Sequence, residues 1–231
     1  MSGSLVSPEL RARVRGLMTP VAVGLGRLGL SPNALTVIGF LIAIVAAGAA
    51  AAQAWLLAGL LVVFGGVFDL FDGALARATN RVSSLGAFMD SVFDRWGEGV
   101  VYVGIPIGCL ADDFDLGAFL AAAAMASAFM VSYTRAKAES LGFTPGTGMA
   151  NVGLAPREVR IAILTAGLLV AGAMGGVVPE DPGALMYVPA YMSYGRWPLA
   201  IALGLIAVLA TITTIQRIVH TVNQASKQAQ G

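Results

Sequence analysis

Four aspartates stand in two pairs in the first half of the chain: Asp69 with Asp72, and Asp90 with Asp94. Spacings of three and four put both members of a pair on one face of a helix. A short turn near residues 78–83 would make the two helices antiparallel neighbours. The pairs then lie at similar heights above that turn, and all four carboxylates can converge. Carboxylates at such close range need cations. No His or Cys lies nearby, so the expectation is one or two hard divalent ions, Mg²⁺ or Mn²⁺. Two such ions about 4 Å apart can grip a phosphoryl group and stabilise both its entering and leaving oxygens. Arg77 follows the first pair, placed to meet a phosphate. Gly73, Ala76 and Gly86 lie beside the acids and leave room for helix packing or for a ligand. The competing explanation is a structural ion network with Arg77, Arg81 and Arg95, but four acids on two facing helices exceed what those arginines need.

A second set of residues collects cations. Ser132, Arg135 and Lys137 fall in SYTRAKAESLG, Arg157 and Arg160 in APREVR, and Arg217 much later. Together they would ring one mouth of a helical bundle. Such a cluster suits a phosphate dianion on a second substrate. Taken singly, each could simply obey the charge bias of membrane loops.

The elements that must position these residues are apolar helices. Of the 231 residues, 57% are hydrophobic and 12% charged, against about a quarter charged in soluble domains. Stretches of about 20 apolar residues recur, each long enough to span a bilayer. Six spans are expected, at 33–53, 55–77, 84–110, 116–141, 156–178 and 197–222. An amphipathic helix over 7–29 should precede them in the interface. Arg11, Arg13, Arg15 and Arg27 would face phosphates there, and Leu10, Val14, Leu17 and Val21 the acyl chains. The fold expected is thus an all-α membrane protein with six transmembrane helices and an N-terminal amphipathic interfacial helix. Its divisions are an N-terminal segment over 1–30, a helical domain over 31–223 and a tail over 224–231. No cleavable signal peptide is expected.

Charge sets the orientation. With the N-terminus in the cytoplasm, Arg77, Arg81, Arg135, Lys137, Arg157, Arg160, Arg217 and Lys227 all fall inside, and only Arg196 falls outside. Asp112, Asp113, Asp115, Glu180 and Asp181 occupy outer loops. Both termini and the acidic cluster are therefore expected on the cytoplasmic side of the plasma membrane. Residues 142–155 form a Gly-rich cytoplasmic loop. Residues 179–195 form an outer loop with interfacial tyrosines.

The stretch DLFDGALARATNRVSSLGAFMDSVFD reads Asp69-x2-Asp72-Gly73-x2-Ala76-Arg77-x8-Gly86-x3-Asp90-x3-Asp94. It resembles the CDP-alcohol phosphotransferase signature at every fixed position, and the likeness extends from Ser31-Pro32-Asn33 to Arg217. The resemblance implies an enzyme that displaces CMP from a CDP-diacylglycerol-type lipid with an alcohol. It implies that Asp69, Asp72 and Asp90 hold metal, and that Asp94 both touches metal and serves as general base. It assigns Asn33, Thr36, Gly73, Ala76, Arg77, Ser83 and Gly86 to the CDP-lipid, although Asn33 and Thr36 can equally be helix caps. The second region resembles the phosphatidylinositol-phosphate synthases and their archaeal ether-lipid counterparts. That likeness implies inositol 1-phosphate as acceptor, its phosphate met by Lys137, Arg157 and Arg217, with Arg160 and Ser132 next. A homodimer is expected from the family.

Glycerol 3-phosphate is the alternative acceptor. However, the glycerol-phosphate enzymes usually read Asp-Pro and Asp-Lys where this chain reads Asp90-Ser91 and Asp94-Arg95. A cation transporter is a more distant alternative. The acids lie toward helix ends rather than across the midplane of broken helices, and Arg77 disfavours a cation path. Net charge is +1, and no nucleic-acid partner is expected. GLGRLG at 24–29 matches a dinucleotide fingerprint in form only, since no strand precedes it. Cys109 and His220 are each single of their kind and are read as packing and interfacial residues. Phe64, Phe68 and Phe71 are likewise read as packing.

Overall fold

The computed structural model describes residues 8–143, 152–176 and 194–228, with side chains from Met18 onward. Seven helices and no strand occur among the described residues: α1 Pro8–Arg27, α2 Pro32–Ala51, α3 Trp55–Ala78, α4 Ser84–Ala111, α5 Asp115–Ser140, α6 Arg157–Ala173 and α7 Arg196–Gln228. Each of α2–α7 falls on one of the six apolar stretches. Four of them, α2, α3, α5 and α7, are long and apolar enough to cross a membrane. The other two differ for physical reasons. α6 has only 17 residues, and α4 carries four charges, Asp90, Asp94, Arg95 and Glu98. Leu57, Leu60, Phe64, Ile107, Ile201, Leu205 and Val208 all point outward. Such an apolar exterior belongs in lipid, and the chain is a membrane protein. α7 runs through residue 223 without a break, so the expected tail begins inside a helix.

Small residues decide which helices meet. Gly97, Gly104 and Gly108 of α4 lie against Ala43, Ala47 and Ala50 of α2; a Cβ at Gly104 or Gly108 would collide with the α2 backbone. Gly39 of α2 and Gly65 of α3 face each other in the same way. On the far side, Gly59 of α3 meets Leu169 of α6, and Gly172 of α6 meets the backbone at Leu56. Absent side chains let helix axes approach closely, which is how apolar helices associate without a hydrophobic driving force.

This packing corrects one expectation. α3 and α4 are joined by a short turn but barely touch. Each packs instead on α2, while α6 packs on α3 and α7. The aspartates therefore face one another across a cleft floored by α2, rather than along a helix–helix seam.

The N-terminal segment forms a helix, α1, that packs on α3. Ala22 is fully buried with Leu35, Phe71, Ala74 and Leu75, and Met18 and Leu25 lie against that cluster. Arg11, Arg13, Arg15, Leu10, Val14 and Leu17 fall where side chains are not described. The tyrosine loop falls almost wholly outside the described residues, as does 144–151 of the Gly-rich loop.

Candidate active site

The four aspartates sort by depth. Asp72 and Asp90 each stand nine residues from Arg81 along the chain, while Asp69 and Asp94 stand 12 and 13 away. At about 1.5 Å per residue, the second pair lies about 5 Å deeper. Each level thus holds one carboxylate from α3 and one from α4, and the cleft divides into two adjoining pockets.

The shallower pocket, of ≈ 260 Å³, is lined by Asp72, Asp90, Asn33, Thr36, Gly73, Ala76, Arg77, Ser83 and Gly86 among others. All seven residues assigned to the CDP-lipid meet here. Local structure explains why. The cap of α2 is Ser31, whose hydroxyl accepts from the Ala34 amide at 3.2 Å. Neither Asn33 nor Thr36 is needed as a cap, and both turn into the pocket. Thr36 Oγ1 donates to Asp72 Oδ2 at 2.6 Å. Ser83 does cap α4, accepting from the Gly86 amide at 3.0 Å, and it also lines the pocket. Gly73 leaves space that the Arg77 guanidinium borders at 3.3 Å.

The deeper pocket is narrower, ≈ 50 Å³, and is lined by Asp69, Asp94, Glu98 and Arg157 with apolar residues of α2, α3, α4 and α6. Here one cation joins two acids. Arg157 Nη2 lies 2.8 Å from Asp69 Oδ2 and 3.0 Å from Asp94 Oδ1. Among the described residues, Arg157 alone forms salt bridges with these aspartates. Arg77, Arg81 and Arg95 do not form the ion network considered as the alternative.

No three Asp, Glu, His or Cys side chains among the described residues close into a ready metal cluster. The donor set still fits divalent metal. It consists of carboxylate oxygens only, which suits Mg²⁺ or Mn²⁺ rather than a soft ion. The Arg157 guanidinium already sits as a stand-in cation between two of them.

The cations expected around the acceptor divide in three. Arg157 is in the cleft, with its Nε buried and without a hydrogen-bond partner among the described residues. Arg160 and Arg217 are buried and engaged. Arg160 donates from Nε and Nη2 to Glu98 at 2.8 and 2.7 Å, and from Nη1 to the Ala155 carbonyl at 3.1 Å. Arg217 donates to the carbonyls of Val131 and Val152. Lys137 is exposed on the last turn of α5, and Ser132, one to two turns earlier, donates to the Ala128 carbonyl at 3.4 Å. Arg135 pairs with Glu139 on the surface.

Three residues not among the expected site residues matter here. Glu98 is the buried acid that holds Arg160. Arg95 has a buried Nη1 with no partner among the described residues and lies within electrostatic reach of Arg157, Arg160, Asp94 and Glu98. Thr213 accepts from the amides of Leu154 and Ala155 at 3.0 and 2.9 Å and donates to Leu209, which uses its full capacity. Glu98 follows Asp94 by four and Arg160 follows Arg157 by three, so a matched ladder was present in the spacing. Nothing local said that α4 and α6 would face each other.

Fold and site together define a membrane-embedded helical enzyme with an acidic, Arg-bordered cleft. The chain belongs to the CDP-alcohol phosphatidyltransferase family, which its residues 29–226 match. It is 38% identical over 156 residues to the archaetidylinositol phosphate synthase of Pyrococcus horikoshii, covering 68% of this chain and 78% of that one. With the archaetidylinositol phosphate synthase of Methanothermobacter thermautotrophicus it shares 31% identity over 212 residues, 92% of each chain. Among solved structures it resembles the phosphatidylinositol phosphate synthase of Mycobacterium tuberculosis with CDP-DAG bound. The TM-score is 0.72 at 26% identity, over 88% of this chain and 92% of that one. The same enzyme in complex with manganese and citrate superposes equally well, over 88% of both chains.

Proposed function

We propose that this enzyme transfers the phosphatidyl group of a CDP-diacylglycerol-type lipid to inositol 1-phosphate, giving phosphatidylinositol phosphate and CMP. The observation that carries it is the pair of adjoining pockets. One gathers all seven residues expected for the CDP-lipid. The other joins Asp69 and Asp94 to Arg157, a cation suited to an acceptor phosphate.

In this reading Asn33, Thr36, Gly73, Ala76, Arg77, Ser83 and Gly86 hold the nucleotide part of the donor. Asp69, Asp72, Asp90 and Asp94 hold one or two Mg²⁺ or Mn²⁺ ions. When bound, these ions neutralise the phosphates and polarise the phosphoryl oxygens. Asp94 takes the proton from the attacking hydroxyl. That oxygen bonds to the lipid-linked phosphorus, the bond to CMP breaks, and CMP leaves with the electron pair. Arg157 holds the acceptor phosphate, assisted by Lys137 at the rim. The engaged guanidiniums of Arg160 and Arg217 shape this side of the cleft, with Ser132 beside them.

The chain is placed with six spans, α2–α7, in the plasma membrane, both termini and the cleft cytoplasmic, and α1 in the interface. The charge bias supports this orientation. A homodimer is part of the same reading.

The test is a product assay on purified protein with Mg²⁺. CDP-diacylglycerol and its ether-linked counterpart are supplied in turn, each with inositol 1-phosphate, glycerol 3-phosphate, inositol or serine. CMP release with inositol 1-phosphate is expected. Turnover with glycerol 3-phosphate alone would overturn the acceptor assignment. The ether lipid is a second reading of the donor, favoured by the two archaetidylinositol phosphate synthases among the relatives.

A further inference from the structure

α4 and α6 have little backbone contact, yet two rungs of charge join them. The outer rung is Asp94 with Arg157, and the inner rung is Glu98 with Arg160. They differ in exposure. The outer side chains are 16% and 24% exposed, the inner ones 4% and 1%. The inner rung is also bidentate, and its third bond reaches the Ala155 carbonyl just before α6 begins.

Ala155 is pinned from both sides. Its amide donates to Thr213 of α7, and its carbonyl accepts from Arg160. Pro156, which follows, gives α6 no side-chain cap. The start of α6 is therefore fixed by a chain of contacts running from Thr213 through Ala155 and Arg160 to Glu98. Arg157 lies one residue after Pro156, on this fixed turn. Its place over Asp69 and Asp94 is set by that chain.

Electrostatics point the same way. Glu98 acts on Arg95 and Arg157 as well as pairing with Arg160. A guanidinium without its buried counter-charge is costly at this depth.

We propose that Glu98 is a positioning residue for the acceptor site: by binding Arg160 it fixes the first turn of α6 and so sets Arg157 over Asp69 and Asp94. This rests on the assignment of Arg157 to the acceptor phosphate. A residue that acts in this way should change acceptor affinity and leave the donor site alone.

The experiment compares KM for each substrate across variants purified in detergent. Glu98→Gln should raise KM for inositol 1-phosphate about tenfold, since displacements near 1 Å at a binding group have effects of this order or larger. KM for the CDP-lipid should stay within about twofold. Adding Arg160→Gln should change the acceptor KM by no more than about twofold further, because both act through one contact. If Glu98→Gln does not yield folded protein, the apolar pair Glu98→Leu/Arg160→Met replaces it, since such pairs pack without buried charge. The same acceptor-selective rise is expected there. A wild-type acceptor KM in the folded variant, or equal changes in both KM values, overturns the proposal. Arg157→Gln separates the two layers. If it raises the acceptor KM while the Glu98 variants do not, the positioning role fails and the acceptor site stands. If it leaves the acceptor KM unchanged, the acceptor assignment itself fails.

Discussion

Thr36 Oγ1 donates to Asp72 Oδ2 across 2.6 Å, and both side chains are almost fully buried. The bond ties α2 to α3 at the point where the two pockets adjoin. It also fixes one carboxylate oxygen of Asp72, which lines the shallower pocket. Thr36→Val keeps the shape and removes the donor. A hydrogen bond to a charged group contributes about 1.5–3 kcal/mol. Donor kcat/KM should therefore fall about tenfold or more, with smaller change for the acceptor. Steady-state CMP release at varied CDP-lipid checks this.

Asp94→Asn tests the base. The amide preserves volume and can still accept from Arg157, but it cannot take a proton. CMP release should drop by about 10²–10⁴, while thermal unfolding in detergent stays close to that of the parent. Normal turnover in this variant would remove Asp94 from the chemistry.

Chelation should abolish CMP release, and Mg²⁺ or Mn²⁺ should restore it. Arg157 shares Asp69 and Asp94 with any ion bound there, so the two compete. Arg157→Gln should tighten Mn²⁺ binding, read by electron paramagnetic resonance without substrates. Weaker binding would mean that the guanidinium helps to assemble the carboxylates instead.

Gly153 has φ +120° and lies so close to Thr213 that a Cβ there would collide with the threonine methyl. Gly153→Ala meets both obstacles. Strained backbone of this kind costs about 1–3 kcal/mol, so the melting temperature should fall by several degrees. Thr213→Val should act similarly, because it leaves the Leu154 and Ala155 amides without their acceptor. Both are measured by thermal unfolding in detergent.

The chain's apolar periodicity and its aspartate spacing settled a great deal without coordinates. α2–α7 begin within a residue of the expected spans, except that the last helix outruns its span, because length and apolar run are local properties. The aspartate spacing singled out the acids and their neighbours Gly73, Ala76, Arg77 and Gly86, because neighbours on one helix face are fixed by the helical repeat, whereas Asn33, Thr36 and Ser83 came only from the family resemblance. The partners across helices were not legible. Gly97, Gly104 and Gly108 placed α4 on α2 rather than on α3, so the acids face one another across a cleft instead of along a shared seam. The cations were visible as a group, but not their division into an Arg157 set between Asp69 and Asp94, an Arg160 held by Glu98 and an Arg217 held by backbone carbonyls. Such choices depend on which helix faces meet, and that is decided by close packing of small residues summed over the whole bundle. Sequence alone determined which residues could do chemistry here; only tertiary structure decided which of them face one another.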